Sequence, residues 1–242
     1  MRTPLFLILM LLAVKGTAQR TITFQTEDNL TVTADLYQKD KDLPYILLFH
    51  QANSSRGEYQ ETVHKLLKLG YNCLAVDLRS GKEINYIQNL TAAQAIEKNL
   101  PNSYLDAETD IMASVAYIKS ISSHPIILFG SSYSGSLVMK VGNHHPDVLA
   151  VVAFSPGEYF QPGLILKSTL ENYDKPVFVA STVKEKPFVQ ELVTDIPEEL
   201  LTLFIPKESE GIHGSKALWE NHPGNEEVWL SLLLFFNKIA AE

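Results

Sequence analysis

Cysteine is nearly absent from this chain. The one thiol among 242 residues, Cys73, cannot close a disulfide within the chain, and its place in the apolar run Cys73-Leu74-Ala75-Val76 assigns it to the core. Positive charge is also scarce. Twenty Lys and Arg face 28 Asp and Glu, and the formal charge of −8 repels phosphate backbones, which argues against a nucleic-acid partner. No His-Glu-x-x-His spacing occurs among the seven histidines, and no internal repeat, low-complexity tract or interdomain linker is visible. The apolar run Leu5 to Val14 has ten residues, well short of the roughly 20 that a bilayer core requires.

That short run is built like a secretory leader. Arg2 precedes it, and Gly16-Thr17-Ala18 places small residues at the −3 and −1 positions of a cleavage site before Gln19. Residues 1–18 are therefore expected to be a signal peptide and 19–242 a single α/β domain, with no stable membrane anchor after cleavage. Loss of Arg2 and Lys15 leaves 18 Lys and Arg against 28 Asp and Glu, a net charge of −10. A secreted or periplasmic location follows. A glycan on the Asn53 sequon would crowd the site described below, which favours a bacterial periplasm.

Thr21 to Phe24 and Leu30 to Tyr37 alternate apolar with polar residues across Glu27-Asp28-Asn29, as an antiparallel hairpin does. Tyr45–Phe49, Cys73–Val76, Ile126–Phe129, Leu149–Phe154, Val177–Ala180 and Leu200–Ile205 are continuous apolar runs, the pattern of strands covered on both faces. Helical spacings lie between them: Tyr59, Val63, Leu66 and Leu67; Ile111, Val115 and Ile118; and a final helix after Asn225 with Trp229, Leu232, Leu233 and Phe236 on one face. Alternating strands and helices predict a mostly parallel, doubly wound sheet. Ser80 to Ser103 and Pro156 to Lys175 do not fit the alternation. Both follow strand carboxyl ends, where ligands of open α/β sheets bind, so Tyr86, Ile87, Tyr159 and Phe160 are candidate pocket contacts.

The chain is organised around Ile126-Ile127-Leu128-Phe129-Gly130-Ser131-Ser132-Tyr133-Ser134-Gly135, a buried strand running through a sharp turn into a helix. Strand and helix nearly touch at such a turn, so the residues two before and two after its centre must be small. Ser132 meets this condition, with Gly130 and Ser134 on either side, whereas Ser131 would sit between Phe129 and Tyr133. A serine hydroxyl needs a base to attack, and His213 stands out, bracketed by Gly211 and Gly214 just after the last predicted strand. His64, His124, His144, His145 and His222 lie at helix surfaces, helix ends or Pro-flanked loops that suit structural roles.

Phe129 to Gly135 resembles the nucleophile elbow of the α/β-hydrolase superfamily, and the chain order Ser, acid, His is that family's order. Phe49-His50-Gln51-Ala52 resembles its His-Gly-x oxyanion loop. The likeness covers essentially the whole mature chain and is nearest to the small, lid-less, dienelactone-hydrolase-like members, which often carry cysteine where this chain has serine. The resemblance implies a three-layer α/β-hydrolase fold with the N-terminal antiparallel hairpin added. It implies Ser132 as nucleophile, His213 as general base, and oxyanion N–H groups from Tyr133 and from Ala52 or Gln51, with His50 bracing the loop. The acid would be Glu185, after the strand before the last, with Glu158 the competitor after the preceding strand. Ser134 and Gln51 stand where the family has glycine, and Glu185 where Asp is commoner.

These residues describe a secreted serine hydrolase cleaving an ester or other acyl bond of a small-molecule substrate through an acyl-enzyme, with no metal or organic cofactor. The alternatives are a hydrolase-fold protein that binds ligand without catalysis and, within the enzyme class, a peptidase.

Overall fold

The computed structural model describes residues 18–241; apart from Ala18, the expected leader lies outside the described residues. The fold opens with antiparallel strands β1 (Ala18–Gln25) and β2 (Thr31–Gln38), paired so that Thr21 lies opposite Asp35. Strands β3 (Tyr45–Phe49) and β4 (Asn72–Val76) follow, then a two-residue-per-strand hairpin of β5 (Glu83–Ile84) and β6 (Ile87–Gln88). Strands β7 (Ile126–Ser131), β8 (Val148–Phe154), β9 (Val177–Ala180) and β10 (Leu201–Phe204) complete the set. The eight-stranded main sheet runs β1-β2-β4-β3-β7-β8-β9-β10, parallel from β4 onward, with β2 antiparallel to β4. This is the expected mostly parallel sheet with its N-terminal hairpin.

From β3 the chain steps outward to β4, then crosses back over β3 to β7. The winding direction therefore reverses between β3 and β7, and the crevice outside their carboxyl ends is the place where this architecture binds ligands. Among the described residues, six α-helices cover the sheet: α1 (Thr62–Lys68), α2 (Leu90–Glu97), α3 (Glu108–Ile121), α4 (Tyr133–Gly142), α5 (Lys186–Leu192) and α6 (Asn225–Ala240). One face packs α3, α4 and α5 through Ile111, Val115, Leu137, Val138, Val189 and Leu192. The other packs α1 and α6 through Val63, Leu66, Val228, Leu232, Phe235 and Ile239.

Three local differences from the sequence patterns have physical causes. Ser80 to Ser103 is not all irregular: it holds the β5–β6 hairpin and α2. The Asn89 side chain caps α2 by accepting the Ala92 N–H at 2.8 Å, while Gln94 and Thr91 accept the Thr31 and Thr33 N–H groups of β2. The buried stripe of α6 is Val228, Leu232, Phe235, Phe236 and Ile239, an i, i+4, i+7, i+8, i+11 pattern. Trp229 and Leu233 are only partly buried; the Trp229 indole N–H donates to the Leu218 carbonyl and Lys65 lies over its ring. Strand β10 is half-buried because it is the sheet edge.

Candidate active site

Residue Ser132 sits at φ 60 and ψ −124, between the last residue of β7 and the first of α4. A non-glycine residue held there stores about 1–3 kcal/mol of backbone strain. The first turns of α4 offset it by burying Leu137, Val138 and Met139, each a contribution of about 1.5–3 kcal/mol. Gly130 is obligatory, because a Cβ there would collide with the Ser134 carbonyl and come within 2.6 Å of the Gly135 nitrogen. Ser134 is more than a small residue in a glycine's place. Its hydroxyl accepts the Ser131 N–H at 2.8 Å and donates to the Phe49 carbonyl at 2.7 Å, tying the elbow to the end of β3.

His213 arrives from the far side of the sheet on a loop whose Gly211 and Gly214 take φ 78 and φ 75. A side chain on Gly214 would collide with Gln51 and approach the Ser131 hydroxyl to 2.6 Å, so glycine lets this loop close onto the elbow. The closure is pinned by the Ser215 N–H donating to Ser131 Oγ at 2.8 Å and the Gly214 N–H donating to Ser155 Oγ at 3.0 Å. His213 Nε2 then lies 2.9 Å from Ser132 Oγ, and its Nδ1 lies 2.5 Å from Glu185 Oε1. A carboxylate only accepts, so Nδ1 carries the proton and Nε2 is free to accept the Ser132 hydrogen.

Glu185, at the start of α5, is itself held. Its Oε2 accepts from the Ser155 hydroxyl at 2.8 Å and the Thr182 N–H at 3.1 Å. Burial alone would raise its pKa, but the hydrogen bonds from His213, Thr182 and Ser155 outweigh that and bring it down to about 2. Glu158 is elsewhere employed, accepting the Leu166 and Lys167 N–H groups at 2.7 and 2.8 Å. The structure thus brings Glu185, and not Glu158, to His213.

On the β3 side, the two proposed oxyanion donors differ. The Gln51 N–H is committed to Glu58 Oε2 at 3.1 Å, which corrects its place among the candidate donors, whereas the N–H groups of Ala52 and Tyr133 have no partner among the described residues. His50 braces this loop: its Nδ1 donates to the Gln51 carbonyl at 2.8 Å, and its Nε2 accepts from the Leu78 N–H and the Asn89 amide, both at 3.0 Å. Complete burial pushes the His50 pKa down, consistent with this neutral form.

The four pocket candidates separate. Tyr86 is 98% exposed at the tip of the β5–β6 hairpin, and Ile87 beside it is half-buried. Phe160 is a core residue rather than a pocket contact, because its ring is buried with Leu166 and Leu170. Tyr159 lies beside the site: its hydroxyl donates at 2.9 Å to the carbonyl of Ser155, whose own hydroxyl holds Glu185. Tyr159, Glu185 and Phe188 line a cleft of about 350 Å³. Two site residues escaped the sequence reading. Ser155 was legible only as the residue after a strand end, and buried Glu58, which joins Gln51 to the Ser215 hydroxyl, carries no local signal.

Solved structures with the same fold include an esterase from Pyrococcus furiosus, at 17% identity over 90% of each chain with a TM-score of 0.63. A dienelactone hydrolase from Anabaena variabilis is similar at 16% identity over 90% of this chain and 95% of its own, with a TM-score of 0.64. Est1E from Butyrivibrio proteoclasticus matches at 15% identity over 92% of this chain and 99% of its own, with a TM-score of 0.65. No curated protein sequence matches the chain. The profile of the dienelactone hydrolase family matches residues 32–207, from β2 to just past β10, and with most of its length so covered the chain belongs to the dienelactone hydrolase family, whose members hydrolyse ester bonds.

Proposed function

We propose that the protein is a serine hydrolase that cleaves a carboxylic ester through an acyl-enzyme on Ser132. The observation that carries this reading is the continuous hydrogen-bond chain from Ser132 Oγ through both ring nitrogens of His213 to Glu185, built on a strained elbow. Ser132 gives its proton to Nε2 as Oγ bonds to the acyl carbon, and the carbonyl electron pair moves onto an oxygen that the Tyr133 and Ala52 N–H groups stabilise. Glu185, ionised at any pH above about 2, stabilises the imidazolium. The tetrahedral adduct collapses, the alcohol leaves with the proton from Nε2, and water repeats the cycle to release the acid.

The esterase and dienelactone hydrolase among the structural neighbours support an ester rather than an amide as substrate. The leader-like residues 1–18 support export, with the mature chain starting at Gln19 inside β1. The test is hydrolysis of p-nitrophenyl acetate by the wild type and by Ser132→Ala. The reading requires turnover in the first and its abolition in a folded second; equal rates refute it.

A further inference from the structure

The cleft of about 350 Å³ is large enough to hold part of a small organic ligand, and the sheet order places it on one flank of the nucleophile. Ser132 follows β7, Ala52 lies beyond β3 on one side, and the walls of the cleft follow β8 and β9 on the other. One wall is α5, which starts just after Glu185. Phe188, Val189 and Leu192 stand at i+3, i+4 and i+7 from that residue, so a single helix face carries the triad's acid and the apolar surface of the cleft. The facing wall is the segment after β8, and it is held in shape. The Tyr159 ring packs so closely over Gly157 that a Cβ there would lie 3.2 Å from it, and its hydroxyl is tied to the Ser155 carbonyl. The Glu158 carboxylate closes the same loop by accepting the Leu166 and Lys167 N–H groups.

The lining defines what this cleft takes. Phe188 is 75% exposed and Tyr159 39% exposed, which leaves two aromatic rings bare beside the buried side chains of Val189 and Leu192. Glu158, Glu185 and Glu191 bring three carboxylates against the single ammonium of Lys167, so an anionic occupant is repelled. The triad in turn dictates which part of an ester arrives there. The carbonyl oxygen turns toward the Ala52 and Tyr133 N–H groups. The alcohol oxygen must face His213 Nε2 to receive its proton, and Glu185, at the other edge of that imidazole, belongs to the cleft wall. An alcohol substituent long enough to pass the imidazole therefore enters the cleft, while the acyl chain leaves the reacting carbon in a third direction.

We propose that this cleft is the subsite for the alcohol arm of the ester, that it selects an uncharged aryl or branched alkyl group, and that Phe188 sets the preference. The proposal rests on the acyl-enzyme reading above and adds a substrate class to it. All acetate esters give the same acetyl-enzyme, so deacylation is common to a series of acetates and the alcohol subsite is read in kcat/KM. Ethanol is too short to pass the imidazole and draws nothing from Phe188, whereas the ring of 2-phenylethanol reaches the cleft. Both are primary alcohols of similar leaving ability, so the chemistry at the carbonyl does not separate them.

The test compares kcat/KM for ethyl acetate, 2-phenylethyl acetate and its para-carboxylate analogue in the wild type and in Phe188→Ala, a change at an exposed position. The wild type is expected to prefer 2-phenylethyl to ethyl acetate by about 10- to 100-fold, the scale of discrimination by an apolar pocket, and the added carboxylate to remove most of that gain. In Phe188→Ala the preference is expected to fall to within about threefold, and in Phe188→Tyr, which keeps the ring, to persist. The ratio between ethyl esters of 3-phenylpropanoic and acetic acid, which varies the acyl half instead, is expected to be the same in wild type and Phe188→Ala. A wild type without the alcohol preference overturns the proposal, as does a preference unchanged in Phe188→Ala or an analogue faster than its uncharged parent. So does a loss confined to the acyl series, which would give the cleft to the acid half. If the wild type neither turns over p-nitrophenyl acetate nor is labelled at Ser132 by a fluorophosphonate, the acyl-enzyme reading fails first; an active, labelled wild type without the alcohol preference refutes the cleft assignment alone.

Discussion

Glu185→Gln replaces one oxygen by an NH2 group, and the structure dictates which way the new amide must point. The Oε2 position receives two donors, the Ser155 hydroxyl at 2.8 Å and the Thr182 N–H at 3.1 Å, while Oε1 receives only His213 Nδ1. The Thr182 N–H cannot reverse its role, so the amide oxygen takes the Oε2 side and the NH2 faces the imidazole. Nδ1 must then become the acceptor, which moves the ring proton to Nε2, where it blocks transfer from Ser132. Catalysis through the wrong tautomer costs about 10⁴ in kcat in the serine triad template, and about 1.36 kcal/mol per factor of ten makes that roughly 5.4 kcal/mol of barrier. Initial rates on p-nitrophenyl acetate from pH 5 to 9, with thermal unfolding as the control for folding, measure it. Retention of more than a tenth of wild-type kcat in a folded Glu185→Gln would refute the argument from hydrogen-bond polarity.

Two further predictions concern the supports around the site. Ser134→Ala strips the Ser131 N–H of its partner, while the Phe49 carbonyl keeps the Tyr59 hydroxyl at 2.6 Å; leaving the one buried donor unpaired costs about 1–3 kcal/mol, read as a lower urea midpoint. Buried, neutral His50 has a folded pKa below its unfolded value of about 6.5, so its contribution is complete above that pH and is lost as acid protonates the unfolded chain first. Urea titrations at pH 7.5 and 5.5 are expected to show a stability loss from this group below pH 6.5, with a ceiling of about 1.4 kcal/mol per pH unit, reduced in His50→Gln; an equal loss in the variant contradicts it.

The elbow was legible because its steric demands act on neighbours in sequence: Gly130 and Ser134 must be small, and only Ser132 has both flanks right. The histidine was legible for a similar reason, since Gly211 and Gly214 mark a loop that must pass close to another. Glu185 came from chain order alone, and its chemistry became clear only with Thr182 and Ser155 in place around it. Gln51 and Ala52 could not be separated in sequence, because what distinguishes their backbone N–H groups is the remote, buried Glu58. Helix α2 was missed because its buried residues, Thr91, Ala92 and Ala95, are small and weakly hydrophobic, so the cap at Asn89 was its main local mark. The face of α6 was read about one residue off, since Trp229 and Leu233 are as apolar as the residues that reach the sheet, and only the packing between α1 and α6 ranks them.

The central claim is that Ser132 is a nucleophile activated by His213. Intact-mass analysis after incubation with a fluorophosphonate at neutral pH, followed by peptide mapping, tests it most directly. The account predicts one adduct per chain, on the peptide containing Ser132, strongly slowed in His213→Ala and absent from Ser132→Ala. Stoichiometric labelling of another serine, such as Ser131 or Ser155, or no labelling of the folded wild type, would contradict it.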